Sequence, residues 1–171
     1  MAAPTASLHF TERVFESLKA KGVEIAYVTL HVGRGTFSPV NEEAMDSGKL
    51  HEEPIEIPLE TAQKISAAKK EGRQVIAAGT TALRALESAA DPILAGEAFS
   101  GETSIFIKPP FEFRIVDGLI TNFHLPGTSL LMLVDAFLQS KGAKKSWKEL
   151  YEMAIEEKFR FYSFGDAMLI I

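Results

Sequence analysis

The chain has no cysteine, which excludes disulfides, thiolate zinc sites and a cysteine nucleophile. That absence is compatible with a reducing compartment without requiring one. No run approaches the roughly 18 unbroken apolar residues needed to span a bilayer. The opening MAAPTASLHF has no basic region followed by an apolar one, so it does not read as a secretory signal. A positive balance is missing too: 18 Lys and Arg stand against 23 Asp and Glu, a formal charge of -5. This argues against indiscriminate polyanion binding as the main task. The charge is uneven, however. Residues 42–60 are strongly acidic with Lys49 as their only lysine, whereas Lys141, Lys144, Lys145 and Lys148 form a basic run. Such a run either touches a phosphate backbone or is simply solvated.

A chain of 171 residues that is 46% apolar can bury one substantial core. No internal repeat, low-complexity tract or linker interrupts it, so residues 1–171 read as a single mixed α/β domain, a sheet flanked by helices. Thr11 is the natural cap of a helix over 12–21, which Gly22 stops. Residues 23–31 are apolar on both faces and suit an inner strand. Residues 51–58 carry Pro54 and Pro58 and suit an edge strand. A helix over 61–71 precedes a strand over 73–78, the turn Gly79-Thr80-Thr81 and another helix. Residues 91–101 show little periodicity and read as a connection. A short strand over 103–107 and a half-buried strand over 111–115 follow. The last helix runs over 147–159, and the apolar end 167–171 should be a strand or pack against one.

The organising stretch is Asp117 to Thr128. Its apolar run ends in Asn122 and His124, breaks at Pro126-Gly127 and restarts as a helix capped by Thr128 or Ser129. Asn122 and His124 therefore stand where a strand ends and a helix begins, the place where open α/β sheets bind ligands. Two other strand ends carry polar groups: His31 with Arg34, and Thr80 with Thr81. All three clusters are expected above one edge of one sheet. Gly33 and Gly35 permit close backbone approach, but the lysine and third glycine of common phosphate loops are absent. Arg84 is either an anion clamp or a salt-bridge partner of Glu87 or Glu102. His31, His51 and His124, with Glu52 or Asp166, could form a metal set, as in a metal-dependent hydrolase, although no pair has ligand spacing on one helix. Acid–base work by His or Glu, with a polar ligand held by amides and Arg, is the economical chemistry.

Longer strings point further. Ala3 to Thr11, Thr29 to Phe37, His51-Glu52, Gly79-Thr80-Thr81, Thr121 to Pro126, Leu130 to Val134 and Arg160 to Ile170 together closely resemble the S-adenosylmethionine:tRNA ribosyltransferase-isomerases of queuosine biosynthesis. The match covers nearly all of the chain, in order, and corresponds to the carboxy-terminal half of such enzymes. The resemblance implies an incomplete portion of a larger enzyme fold. It implies transfer and isomerisation of the ribosyl part of S-adenosylmethionine onto 7-aminomethyl-7-deazaguanine in tRNA, giving epoxyqueuosine. S-adenosylmethionine would be consumed as a substrate, with no metal or resident cofactor. The implied partners are that tRNA and the missing amino-terminal half, with no DNA or membrane, in the cytoplasm. His9, His31 and His124 carry over as acid–base or orienting groups. Arg34, Thr80, Thr81, Arg84 and Asn122 carry over for binding, with His51, Glu52, Tyr162 and Asp166 behind them. Tyr151 and the lysines of 141–148 are expected to face the tRNA. The chain departs from the family pattern at Ser7, at Pro109-Pro110-Phe111, at Arg34 and at Gly127-Thr128-Ser129; none of these touches the histidines. A non-catalytic adenosyl-ligand or RNA-binding fragment is the other outcome such a half admits.

Overall fold

The computed structural model describes residues 5–33, 40, 42–163 and 165–171. Its centre is β5, Gly118–Asn122. Leu119 and Thr121 are almost fully buried, as is Asn122, so this strand has core on both faces. β3, Ile76–Ala78, lies parallel to β5 on one side. β6, Ala167–Ile170, lies antiparallel on the other. The apolar chain end thus becomes the expected strand. Packing at Gly118 is close: a Cβ there would sit 2.5 Å from Ile76 Cδ1, so that side chain would have to shift. At this amino end Asp117 accepts from Lys69 Nζ at 2.9 and 3.1 Å and from the amide of Val75 at 2.9 Å. Those bonds tie the starts of β3 and β5 to helix α3, Leu59–Lys70.

After β5 comes α6, Ser129–Ser140. Of the two candidate caps, Thr128 supplies the oxygen that accepts from the Leu131 amide, at 3.4 Å. Leu133, Val134 and Phe137 of α6 are fully buried. The next helix, α7 over Trp147–Glu156, begins with a capping box between Ser146 and Glu149. The first helix, α1 over Glu12–Ala20, has Thr11 at its cap position without a side-chain bond. A 3-10 turn over Thr5–His9 precedes it.

A second sheet holds β1, Thr29–Leu30, β2, Lys49–Ile57, and β4, Phe99–Ile105, in that order and all antiparallel. Helix α2, Glu42–Ser47, leads into β2. Helix α4, Thr80–Ser88, packs against strands of both sheets, and its Leu83 and Ala85 are fully buried. The result is the mixed α/β architecture with flanking helices that the periodicities predict.

Four local expectations are corrected. Residues 23–28 are not an inner strand; the carbonyl of Tyr27 instead accepts from Thr61 Oγ1 at 2.8 Å, so the segment is pinned to α3 rather than to a ladder. β2 is the middle strand despite Pro54. The Pro54 carbonyl accepts from the His31 amide at 2.9 Å, and N–H and C=O of one residue point to the same side of an antiparallel strand. The missing donor therefore faces two-residue β1, where little ladder is lost. Within 91–101, α5, Ala90–Ala95, ends at a left-handed Gly96 and β4 begins at Phe99. Residues 111–115 form no strand. Their neighbourhood is held by buried Glu87 of α4, which accepts from the amides of Arg114, Ile115 and Val116 at 2.9, 3.1 and 2.9 Å. One carboxylate does the work of a neighbouring strand.

Replacing Glu87 by Ala should therefore strand three amides and cost about 3 kcal/mol or more, with Glu87→Gln losing less. Urea denaturation measures this, and a loss under about 1 kcal/mol would contradict the role.

Candidate functional site

The burial of β5 on both faces dictates where its polar end emerges. Asn122 closes the strand at 2% exposure. Its Nδ2 donates to the carbonyl of Tyr162 at 3.0 Å and lies 3.4 Å from His9 Nε2. The amide of Tyr162 donates in turn to the Phe123 carbonyl at 3.2 Å. Tyr162 is thereby clamped at both backbone groups in a left-handed conformation, φ 68°, which a residue with a Cβ adopts only when its surroundings over-determine it. The residue is nonetheless 53% exposed. Gly165 closes the same turn, because a Cβ there would collide with the backbone of Arg160 and Phe161.

Asp166 completes that turn. It accepts from the Arg160 amide at 2.8 Å and from Arg160 Nη2 at 2.7 Å. These bonds hold its carboxyl down at about 2, with the nearby His9 contributing in the same direction. The turn carrying His9 also reaches α4. Ala6 is buried, and its Cβ stands 3.6 Å from where a Cβ on Gly79 would lie. Gly79 takes φ 101° and donates to the Ile120 carbonyl at 2.8 Å, which sets buried Thr80 and half-buried Thr81 at the head of α4. His9, Thr80, Thr81, Asn122, Tyr162 and Asp166 therefore gather around the carboxyl ends of β3 and β5.

His124 stands just beyond. Its ring Nε2 is 2.9 Å from Thr121 Oγ1, and its backbone amide donates to the Tyr151 hydroxyl at 3.0 Å. Burial lowers its pKa to about 4, so the imidazole is neutral near pH 7. Burial likewise raises the Tyr151 phenol to about 12, against the opposing effect of the bond from His124. Tyr151 is 5% exposed and packs edge-on against Phe123 and Trp147. It packs behind the site as a buried ring, whereas an exposed, tRNA-facing ring is what the sequence leads one to expect. Thr121 and Arg160 are residues here that periodicity does not single out, because their roles depend on contacts made by folding.

The other expected residues belong to the second sheet. His31 follows β1 and is exposed, as are His51 and Glu52 on β2. Arg84 is no free anion clamp: at 2% exposure it forms a buried ion pair, Nη2 to Glu53 Oε2 at 2.5 Å. Its partner is Glu53, neither Glu87 nor Glu102. Glu53 Oε1 also accepts from the Gly33 amide at 2.7 Å, anchoring the entry to the glycine loop. Arg34 lies outside the described residues. The polar clusters thus end on two sheets, not above one edge of a single sheet. Among the described residues no three His, Asp or Glu side chains are grouped to hold a metal, which removes the structural basis offered for the His31, His51 and His124 set.

The open depressions lie at the opposite end of β5. One of about 600 Å³ is lined by Phe111, Phe113, Asp117 and Lys141 among others, and one of about 260 Å³ shares Asp117 and Lys141. Lys141 of the basic run lines both, and none of the acid–base or ligand-binding candidates lines either. The basic run is exposed: Lys141 and Lys148 lie over the rings of Phe137 and Trp147, at 5.2 and 5.7 Å.

A histidine near 4 when folded and near 6.5 when unfolded binds more protons in the unfolded chain. Its contribution to stability is complete above about pH 6.5 and is lost as pH falls toward about 4. Thermal or urea midpoints of the wild type should therefore drop more steeply over that window than those of His124→Gln. Parallel pH profiles would contradict the burial.

Known proteins share this sequence and fold. The family model described as queuosine biosynthesis protein matches residues 1–170. The S-adenosylmethionine:tRNA ribosyltransferase-isomerase of Carboxydothermus hydrogenoformans is 54% identical over 170 residues, which is 99% of this chain and 49% of that protein. The protein of the same name from Thermus thermophilus is 51% identical over 171 residues, 100% of this chain and 48% of its own length. A crystal structure of S-adenosylmethionine tRNA ribosyltransferase from Thermotoga maritima superposes with a TM-score of 0.77 at 42% identity, covering 98% of this chain and 51% of that one. The chain thus spans about half the length of the relatives it matches, and it belongs to the queuosine biosynthesis protein family.

Proposed function

We propose that this chain carries part of the active site of an S-adenosylmethionine:tRNA ribosyltransferase-isomerase. The reaction moves the ribosyl group of S-adenosylmethionine to 7-aminomethyl-7-deazaguanine in tRNA and isomerises it, giving epoxyqueuosine with release of adenine and methionine. S-adenosylmethionine is a consumed substrate, and the setting is the cytoplasm. The observation that carries this reading is a neutral, half-buried His124 at the carboxyl end of β5, in a chain of this family. A neutral imidazole can take a proton from carbon beside the positive sulfonium, whose charge stabilises the electron pair left behind. Adenine leaves more readily when its ring accepts a hydrogen bond as charge develops, a task suited to His9 or to the amides at the head of α4. Asn122 orients His9 and the Tyr162 turn, while Asp166 fixes that turn through Arg160. His31 is retained in this reading as an acid–base or orienting group, and Arg34, His51 and Glu52 as substrate contacts. The exposed lysines of 141–148 offer a surface for the tRNA backbone. Because the chain spans half of its relatives, the remaining substrate contacts come from the other half.

The test is adenine release from S-adenosylmethionine in the presence of precursor-bearing tRNA. It is run with this chain supplemented by the amino-terminal half of a relative. Release should appear only with both halves, and His124→Ala should lower it by about a hundredfold or more with the circular dichroism spectrum intact. Undiminished release from that variant would remove His124 from the chemistry. Ligand binding without any release would favour a non-catalytic adenosyl-ligand or RNA-binding role.

A further inference from the structure

We infer that Thr121 is a positioning residue that holds the His124 ring with its proton on Nε2 and its lone pair on Nδ1. A threonine hydroxyl has one proton to donate and two lone pairs. In this fold the Thr121 hydroxyl donates to the Asn122 carbonyl at 3.3 Å. The same oxygen lies 2.9 Å from His124 Nε2. With the hydroxyl proton on the Asn122 carbonyl, Thr121 Oγ1 meets the ring as an acceptor and the ring nitrogen facing it is the donor, which is the arrangement inferred here. A neutral imidazole with a proton on Nε2 has none on Nδ1.

The surroundings make this a built arrangement. Thr121 is 1% exposed and sits inside β5, paired on one side with Met168 of β6, so its side chain has little freedom. The main chain of His124 is fixed separately, by donation to the Tyr151 hydroxyl of α7. The ring is thus held from the strand and the backbone from the helix. Resting on the proposed function, this selects a base over an acid: the C–H bond beside sulfur breaks, its electron pair stays on carbon, and the proton moves to Nδ1.

The tautomer is directly readable by long-range proton–nitrogen correlation on the nitrogen-15-labelled 171-residue chain. At pH 7 the His124 signals should report a protonated Nε2 and a bare Nδ1. Thr121→Val, which keeps the shape and loses the hydroxyl, should shift those signals toward the other tautomer or an average, and Thr121→Ser should restore them. In the reconstituted reaction Thr121→Val should lower kcat at least about tenfold, with KM little changed. A protonated Nδ1 in the wild type, a doubly protonated ring, or a Thr121→Val spectrum like the wild type would overturn the inference. Should the valine variant fail to fold, the wild-type tautomer and the serine variant decide. A correct tautomer together with an active His124→Ala variant would leave the positioning intact and sink only the catalytic reading.

Discussion

The backbone pairing of β5 on both of its edges is the constraint on which the rest depends. β3 takes one edge and β6 the other, and core covers both faces. A strand so enclosed has no room for polar side chains along its length, apart from those bonded within the protein. Its polarity is therefore pushed to its ends. At the amino end Asp117 satisfies Lys69 and the Val75 amide. At the carboxyl end Asn122 and His124 meet the first turn, the head of α4 and the 160–166 turn. The same enclosure that fixes the site desolvates His124 and so sets its charge.

Three buried charged groups, Glu53, Arg84 and Glu87, shape the region between the sheets. An ion removed from water costs several kcal/mol unless geometry and hydrogen bonds return it. Glu87 is offset by three backbone amides, and Arg84 by Glu53. Both belong to or contact α4, the helix shared by the two sheets. Arg84 is not available to bind an incoming anion, because it is already paired within the fold. Apolar replacements at such positions are often no less stable, so the value of Arg84 and Glu53 lies in holding the Gly33 amide, and hence the loop entrance, in one place.

The elements with strong periodicity were legible from residues alone: β5, β6, α6, α7 and the helix after Gly79. Asn122 and His124 were legible because a strand-to-helix break concentrates polar residues there. What stayed hidden depends on long-range partners. The propensity of 23–31 for strand was overridden when Thr61 captured the Tyr27 carbonyl. The rule that proline avoids central strands missed that β1 is only two residues long. The residues of 111–115 alternate like a strand, yet a side chain 27 residues earlier takes the Arg114 amide. For Arg84 the sequence offers Glu87 and Glu102 as salt-bridge partners, whereas folding brings it Glu53, 31 positions earlier. The role of Tyr151 required knowing that α7 packs behind His124.

The account stands on ligand binding at the carboxyl ends of β3 and β5 rather than in the larger depressions at their amino ends. Titration of S-adenosylmethionine into the nitrogen-15-labelled chain, followed by amide chemical shifts, tests this directly. The account predicts perturbations centred on Gly79 to Thr81, Asn122 to His124, and the neighbourhood of His9 and Tyr162. Perturbations centred instead on Phe111, Asp117 and Lys141 would contradict it.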